Sequence, residues 1–238
     1  MNITTTYLGN STVLIETQAQ KRILIEPWTY GNPACPVALK NPGPLDLILI
    51  THGHGDHMGD AVRLATESGA TVVCMFDLAL YLGRQGVPES QLVGMNLGGS
   101  VTLPELGLTV TQVPALHSSG TEDGETVVYA GVASGFVVTD SAGFAFYHAG
   151  DTALFSDMQL ICELYTPTLA FLPIGDRFTM GPREAAYALE FLSSVTDVVP
   201  IHWGTFPLLT GTPEALKTEL EKRGRSVSVH ALKPGGKI

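Results

Sequence analysis

The stretch Leu45-Asp46-Leu47-Ile48-Leu49-Ile50-Thr51-His52-Gly53-His54-Gly55-Asp56-His57 decides how the chain reads. Its first half is a nearly continuous apolar run, as expected for a strand buried on both faces. Its second half packs four potential metal ligands into six residues. Imidazole and carboxylate suit zinc, iron, manganese and related ions. A strand cannot aim all four at one ion, because neighbouring side chains point to opposite faces. A loop can divide them, His52 and His54 to one ion, Asp56 and His57 to a second. The interleaved glycines allow a tight turn and leave room near the backbone.

Each further ligand candidate falls at or just past the end of an apolar strand. His117 follows Leu108–Val113, Asp151 follows Gly143–Tyr147, and His202 follows Val198–Ile201. Sites in open α/β sheets gather at such strand ends. The flanking pattern is β-rich (Ile3–Leu8, Val13–Glu16, Arg22–Ile25), then βα, with helices over Asp60–Ser68 and around Leu78–Gly83. Gly69 is placed to end the first of these helices. A second β-rich part (Val101–Leu103, Leu108–Val113, Val127–Thr139, Gly143–Tyr147) precedes a βαβαβ region. That region follows a helix over Phe155–Glu163 and has strands over Leu169–Leu172, Val198–Ile201 and Ser226–Ala231, joined by helices over Pro182–Leu192 and Pro213–Arg223. The order predicts an α/β protein: two mixed β-sheets packed together and flanked by helices, a four-layer αββα sandwich forming a single domain over residues 1–238.

Composition excludes several classes. Thirteen Lys and Arg against 23 Asp and Glu give a net charge of -10, opposite to a nucleic-acid binder. Cys35, Cys74 and Cys162 are odd in number and widely spaced, which fits a reducing compartment, and the expected location is the cytoplasm. The start from Met1 to Tyr7 has no basic or apolar leader pattern, and no apolar stretch approaches the roughly 18 residues of a membrane span.

The His-x-His-x-Asp-His segment with lone His117, Asp151 and His202 resembles the metallo-β-lactamase superfamily. Tyr7-Leu8-Gly9, Ile25-Glu26-Pro27, Gly150-Asp151-Thr152, Phe178-Thr179-Met180-Gly181-Pro182 and His202-Trp203-Gly204-Thr205-Phe206-Pro207 resemble one branch of it. That branch comprises small bacterial and archaeal metal-dependent hydrolases, among them ascorbate-6-phosphate lactonase-like proteins. The likeness runs from about Asn2 to Pro207.

The resemblance implies two divalent ions, zinc first, with manganese, iron or nickel as further fits. His52, His54 and His117 would hold one, Asp56, His57 and His202 the other, and Asp151 would bridge them. Such a pair, about 3.5–4 Å apart, shares a water, lowers its pKa toward about 7 and lets the resulting hydroxide attack a carbonyl or phosphoryl carbon or phosphorus. Asp56 would also orient that hydroxide or carry its proton. The implied substrate is a small ester, lactone or phosphoester, with a phosphorylated small molecule among the candidates, a lactonase first and a phosphodiesterase next; relatives are often homo-oligomers.

Two positions depart from the pattern: Asn10 stands where relatives often have His, and Glu26 where they often have Asp. Both would lie behind the ligands. His148 reads equally as a donor behind the ligands or as a histidine closing a strand. Arg177 and Thr179 could anchor an anion, although a solvated surface is the plainer reading for an arginine. His230 reads as structural.

Other functions stay open. The di-iron oxygen-reducing members carry an acidic residue where this chain has His54. A mononuclear iron dioxygenase keeps the histidines, and bound-metal identity with oxygen consumption separates it from a hydrolase. A non-catalytic metal-binding protein is the remaining alternative.

Overall fold

The computed structural model describes residues 3–238. Met1 and Asn2, which begin both the leader reading and the family likeness, lie outside the described residues. The elements in order are β1 (Ile3–Gly9), β2 (Thr12–Thr17), β3 (Arg22–Ile25), β4 (Leu47–Ile50), α1 (Gly55–Met58), α2 (Ala61–Ser68), β5 (Thr71–Met75), α3 (Phe76–Arg84), β6 (Leu92–Met95), β7 (Ser100–Leu103), β8 (Leu108–Pro114), β9 (Gly120–Asp123) and β10 (Thr126–Tyr129). There follow β11 (Ser134–Asp140), β12 (Ala145–His148), α4 (Met158–Tyr165), β13 (Leu169–Pro173), α5 (Pro182–Phe191), β14 (Asp197–Ile201), α6 (Pro213–Lys222) and β15 (Ser228–Val229). Two mixed sheets with flanking helices result, as the element order predicts.

Contacts gather the chain into two compact units, Met1–Leu97 with Ser118–Ala133 and Lys233–Ile238, and Gly98–His117 with Ser134–Leu232. The first unit holds a six-stranded sheet in the order β1-β2-β3-β4-β5-β6. Its β1–β3 meander is antiparallel, and β3 to β6 run parallel. Ile48 and Ile50 of β4 pack with Val72 and Cys74 of β5 against Leu64 of α2 and Leu78 and Leu82 of α3. Leu47 and Leu49 alternate with them and are equally buried, so β4 is apolar at every position, as a parallel strand covered on both faces must be. Gly69 ends α2 at φ 71°, its amide returning to the Ala65 carbonyl. The segment Gly235–Ile238 hydrogen-bonds to Thr5 and Tyr7 and covers the outer edge of β1, which would otherwise be open to strand addition.

The second unit holds a seven-stranded sheet in the order β15-β14-β13-β12-β11-β8-β7. Strands β12 to β15 are parallel, and β11, β8 and β7 continue antiparallel. Tyr147, Ala170, Leu172 and Val198 meet Ile161 of α4, Ala185 and Leu189 of α5, and Leu216 and Leu220 of α6 in one core. Pro182 opens α5, and the Thr212 hydroxyl caps α6 by accepting the Ala215 amide at 3.1 Å.

Three local expectations need correction. The single strand predicted over Val127–Thr139 is two, β10 and β11, parted by Ala130–Ala133 with Gly131 at φ 81°. Strand β6, which contains Gly94, carries too weak an alternation to be read from sequence. The ligand segment is not wholly a loop: after His54 it winds into the single turn α1, closed by bonds from the His57 and Met58 amides to the His54 carbonyl. Strand β9 is likewise not read from sequence; elsewhere boundaries shift, and the last strand shrinks from Ser226–Ala231 to Ser228–Val229.

Candidate metal centre

In the first unit, His52 follows β4 directly and is fully buried. Its Nδ1 lies 2.9 Å from the Thr51 hydroxyl, which leaves Nε2 facing His54 Nδ1 at 3.0 Å. The Ser118 hydroxyl is 3.2 Å from the other His54 nitrogen. Gly53 sits against the chain behind: its amide donates to the Ser119 hydroxyl, and a Cβ there would come within 2.6 Å of the Ala130 methyl. Only the first of the two interleaved glycines is thus sterically required, since a Cβ on Gly55 would meet nothing within 4 Å.

His57 is fully buried and turns Nδ1 onto the Glu26 carboxylate at 2.7 Å. The other Glu26 oxygen accepts the Thr51 amide at 3.0 Å. A carboxylate only accepts, so Nδ1 carries the proton and the lone pair is on Nε2, 3.6 Å from Asp56 Oδ2. That Asp56 oxygen accepts from the Asn10 side-chain amide at 3.0 Å. Asn10 and Glu26 both adopt left-handed backbone, φ 54° and 57°. Asn tolerates this region, whereas for Glu it is strain that the surrounding bonds must hold. Asn10 thus touches Asp56, and Glu26 touches both His57 and Thr51.

In the second unit, Asp151 is buried at the end of β12, and one of its oxygens serves two imidazoles. Oδ2 lies 3.1 Å from His202 Nε2 and 3.6 Å from His117 Nε2. His202 leaves β14 at φ 52°, a left-handed step that turns its side chain out of the strand's alternation. His148, the last residue of β12, is buried, stacks on Phe171 at 5.5 Å between ring centres, and accepts the Gly150 amide on Nδ1. It braces the turn that carries Asp151.

The Met180 amide donates to the Thr152 carbonyl, so the loop holding Arg177 and Thr179 is tied to the residue after Asp151. Within that loop the Arg177 guanidinium covers the neighbouring Phe178 ring at 5.6 Å, and the Thr179 hydroxyl donates to the Met180 carbonyl. His230 is paired with Asp197 at 2.7 Å at the far end of the sheet's parallel half, a structural place.

Sequence reading missed Thr51, Ser118 and Ser119. Thr51 lies inside the decisive segment and the two serines directly follow His117, but hydroxyls next to ligands carry no distinctive spacing.

The donor sets fit divalent metals. Imidazole nitrogens with carboxylate oxygens suit borderline ions such as zinc. Each ring that the structure orients is held by an outer partner at one nitrogen, Thr51 for His52 and Glu26 for His57, so the opposite nitrogen is directed inward.

Residues 21–203 match the Beta-lactamase superfamily domain. The chain is 47% identical to a UPF0173 metal-dependent hydrolase of Chloroflexus aurantiacus over 100% of its own length and 97% of that protein. This chain belongs to the UPF0173 metal-dependent hydrolase family. A second UPF0173 relative, from Methanopyrus kandleri, is 46% identical over 97% of this chain and 96% of its own. Among solved structures, Igni18, a metallo hydrolase from Ignicoccus hospitalis, superposes with a TM-score of 0.86 at 34% identity, covering 99% of this chain and 97% of that one. The metallo-beta-lactamase fold protein YhfI of Bacillus subtilis has a TM-score of 0.69 at 15% identity over 99% and 98%, a likeness of fold. UPF0173 membership thus accounts for the metallo-β-lactamase fold expected from the ligand segment. Among the described residues no helix is long and apolar enough to cross a membrane.

Proposed function

We propose that this chain is a metal-dependent hydrolase that cleaves a small ester, lactone or phosphoester, a lactone before the others, at a pair of divalent ions. His52, His54 and His117 are assigned to one ion, Asp56, His57 and His202 to the other, and Asp151 to both, with zinc as the first choice of metal. The observation that carries this reading is the single Asp151 oxygen lying 3.1 Å and 3.6 Å from two imidazole nitrogens. A carboxylate so placed suits a bridging position, and its two partners are the histidines assigned to different ions.

When bound, the two ions supply Lewis acidity toward the substrate oxygen and a water whose pKa falls toward about 7. The chain's own groups do the rest. Asp56, steadied by Asn10, holds or moves the proton of the attacking water. Glu26 keeps the His57 ring in one tautomer and one orientation. His52 is turned inward by Thr51, so its nitrogen needs no reorganisation on binding.

The experiment is metal analysis of protein purified without added metal, followed by assay on a panel of lactones and phosphodiesters. About two ions per chain and turnover of a lactone are expected. Metal near zero, or full metal retention in His54→Ala, overturns the reading. Asp56→Asn tests the proton role: full metal with full turnover would remove Asp56 from it.

A further inference from the structure

Beside His54 and Asp56, inside the first unit, opens a cleft of about 780 Å³. That volume is ordinary for a small-molecule site. The α1 turn supplies Met58 on one wall, and the β9–β10 hairpin supplies Thr121, Glu122 and Val127 on the other. Two facts about this lining stand out chemically. Val127 faces outward and is 72% exposed, an apolar side chain where a hairpin facing only water would carry a polar one. Among the described residues, no lysine or arginine lines the cleft. The hairpin sequence Thr121-Glu122-Asp123-Gly124-Glu125 instead carries three carboxylates and no cation. Its tip is anchored, because the Gln85 side chain donates to Asp123 at 3.3 Å.

We propose that the substrate is uncharged outside its reacting group, that its apolar part lies between Met58 and Val127, and that Glu122 makes the hairpin reject phosphorylated esters. The proposal rests on the hydrolase reading and selects within it. The metal ions attract the reacting oxygen of any ester and draw an anionic remainder closer if anything, so they do not reject it. The hairpin does, since a phosphate dianion in this cleft meets a carboxylate and finds no guanidinium or ammonium to pair with. Chain chemistry adds a second term: each methylene covered by Val127 and Met58 strengthens binding by about threefold to fourfold.

The test uses the full-length, metal-loaded protein and a matched pair of lactones, one with a plain alkyl tail and one whose tail of equal length ends in phosphate. The corresponding unreactive lactams report binding by calorimetry. The alkyl compounds should lead by about tenfold or more in both kcat/KM and affinity at low ionic strength, and the lead should shrink in high salt, where charges on an open cleft are screened. Glu122→Lys should narrow the ratio several-fold, with Glu122→Gln between it and the parent. Equal or tighter binding of the phosphorylated lactam, a ratio unmoved by Glu122→Lys, or binding of neither lactam overturns the proposal. Turnover of neither lactone with metal bound removes the hydrolase reading instead, and the lactam ratio still decides the charge preference.

Discussion

Glu26 Oε2 stands 2.7 Å from His57 Nδ1, with both side chains fully buried, while Oε1 takes the Thr51 amide. One carboxylate therefore fixes two consecutive parts of the ligand segment, the strand end that launches His52 and the ring of His57. Its backbone is left-handed, at φ 57°.

Glu26→Gln is expected to weaken metal binding by about 10–100-fold, because an amide must turn its N–H₂ toward one of two donors. Glu26→Asp keeps the charge but is one methylene too short to reach both donors, and should fall between the two. Titration of the metal-free proteins with zinc by calorimetry checks the order. Equal affinities across the three would remove Glu26 from ligand positioning.

Asn10 grips the Asp56 carboxylate at 3.0 Å and is itself held by the Tyr7 hydroxyl on its carbonyl oxygen. Asn10→Ala should lower kcat by about tenfold at nearly constant KM, since a misaimed base loses transition-state rather than ground-state contact. Tyr7→Phe should cost stability by about 1 kcal/mol from one lost buried hydrogen bond and leave kcat closer to the parent. Steady-state kinetics with thermal melts separates the pair.

The two interleaved glycines should behave differently. Gly53→Ala would force a methyl to 2.6 Å from Ala130, and the loss expected is about 1–3 kcal/mol with displaced ligands. Gly55→Ala meets open space within a helical turn and should be neutral or slightly stabilising. Melting temperatures of the two variants, each with and without zinc, decide this; a Gly55→Ala as damaging as Gly53→Ala would contradict it.

Acid stability should report on Asp197. Burial pushes its carboxyl up, but hydrogen bonds with His230 and Thr196 outweigh that and hold it below the ordinary value. A depressed folded value gives stability that is complete above the unfolded pKa of about 3.9 and fades as pH falls through the folded value. Asp197→Asn should therefore be less stable than the parent by up to about 1 kcal/mol near pH 5–6, with the gap closing below about pH 3. Denaturant titrations across that range measure it, and a gap that widens toward acid would reverse the sign.

The sequence makes the ligand types, their clustering and their strand-end placement legible, because these depend on local periodicity. An apolar run such as Leu45–Ile50 reads as a buried strand wherever it packs, and four ligands in six residues rarely serve another purpose. It also set the identity of the two unusual neighbours, Asn10 and Glu26, without saying what they touch. Tertiary structure alone decided that Glu26 reaches both Thr51 and His57, and that Asn10 reaches Asp56, since those contacts join residues 25 to 46 positions apart. It decided that His148 braces a turn, a question of burial and stacking to which sequence spacing is blind. It split Val127–Thr139 into two strands and placed β10 against β9 as the wall of a cleft, because pairing, not propensity, chooses where a β-rich stretch breaks. And it turned the tight-looking segment after β4 into half loop and half helix, with Gly53 rather than Gly55 as the residue that cannot carry a side chain.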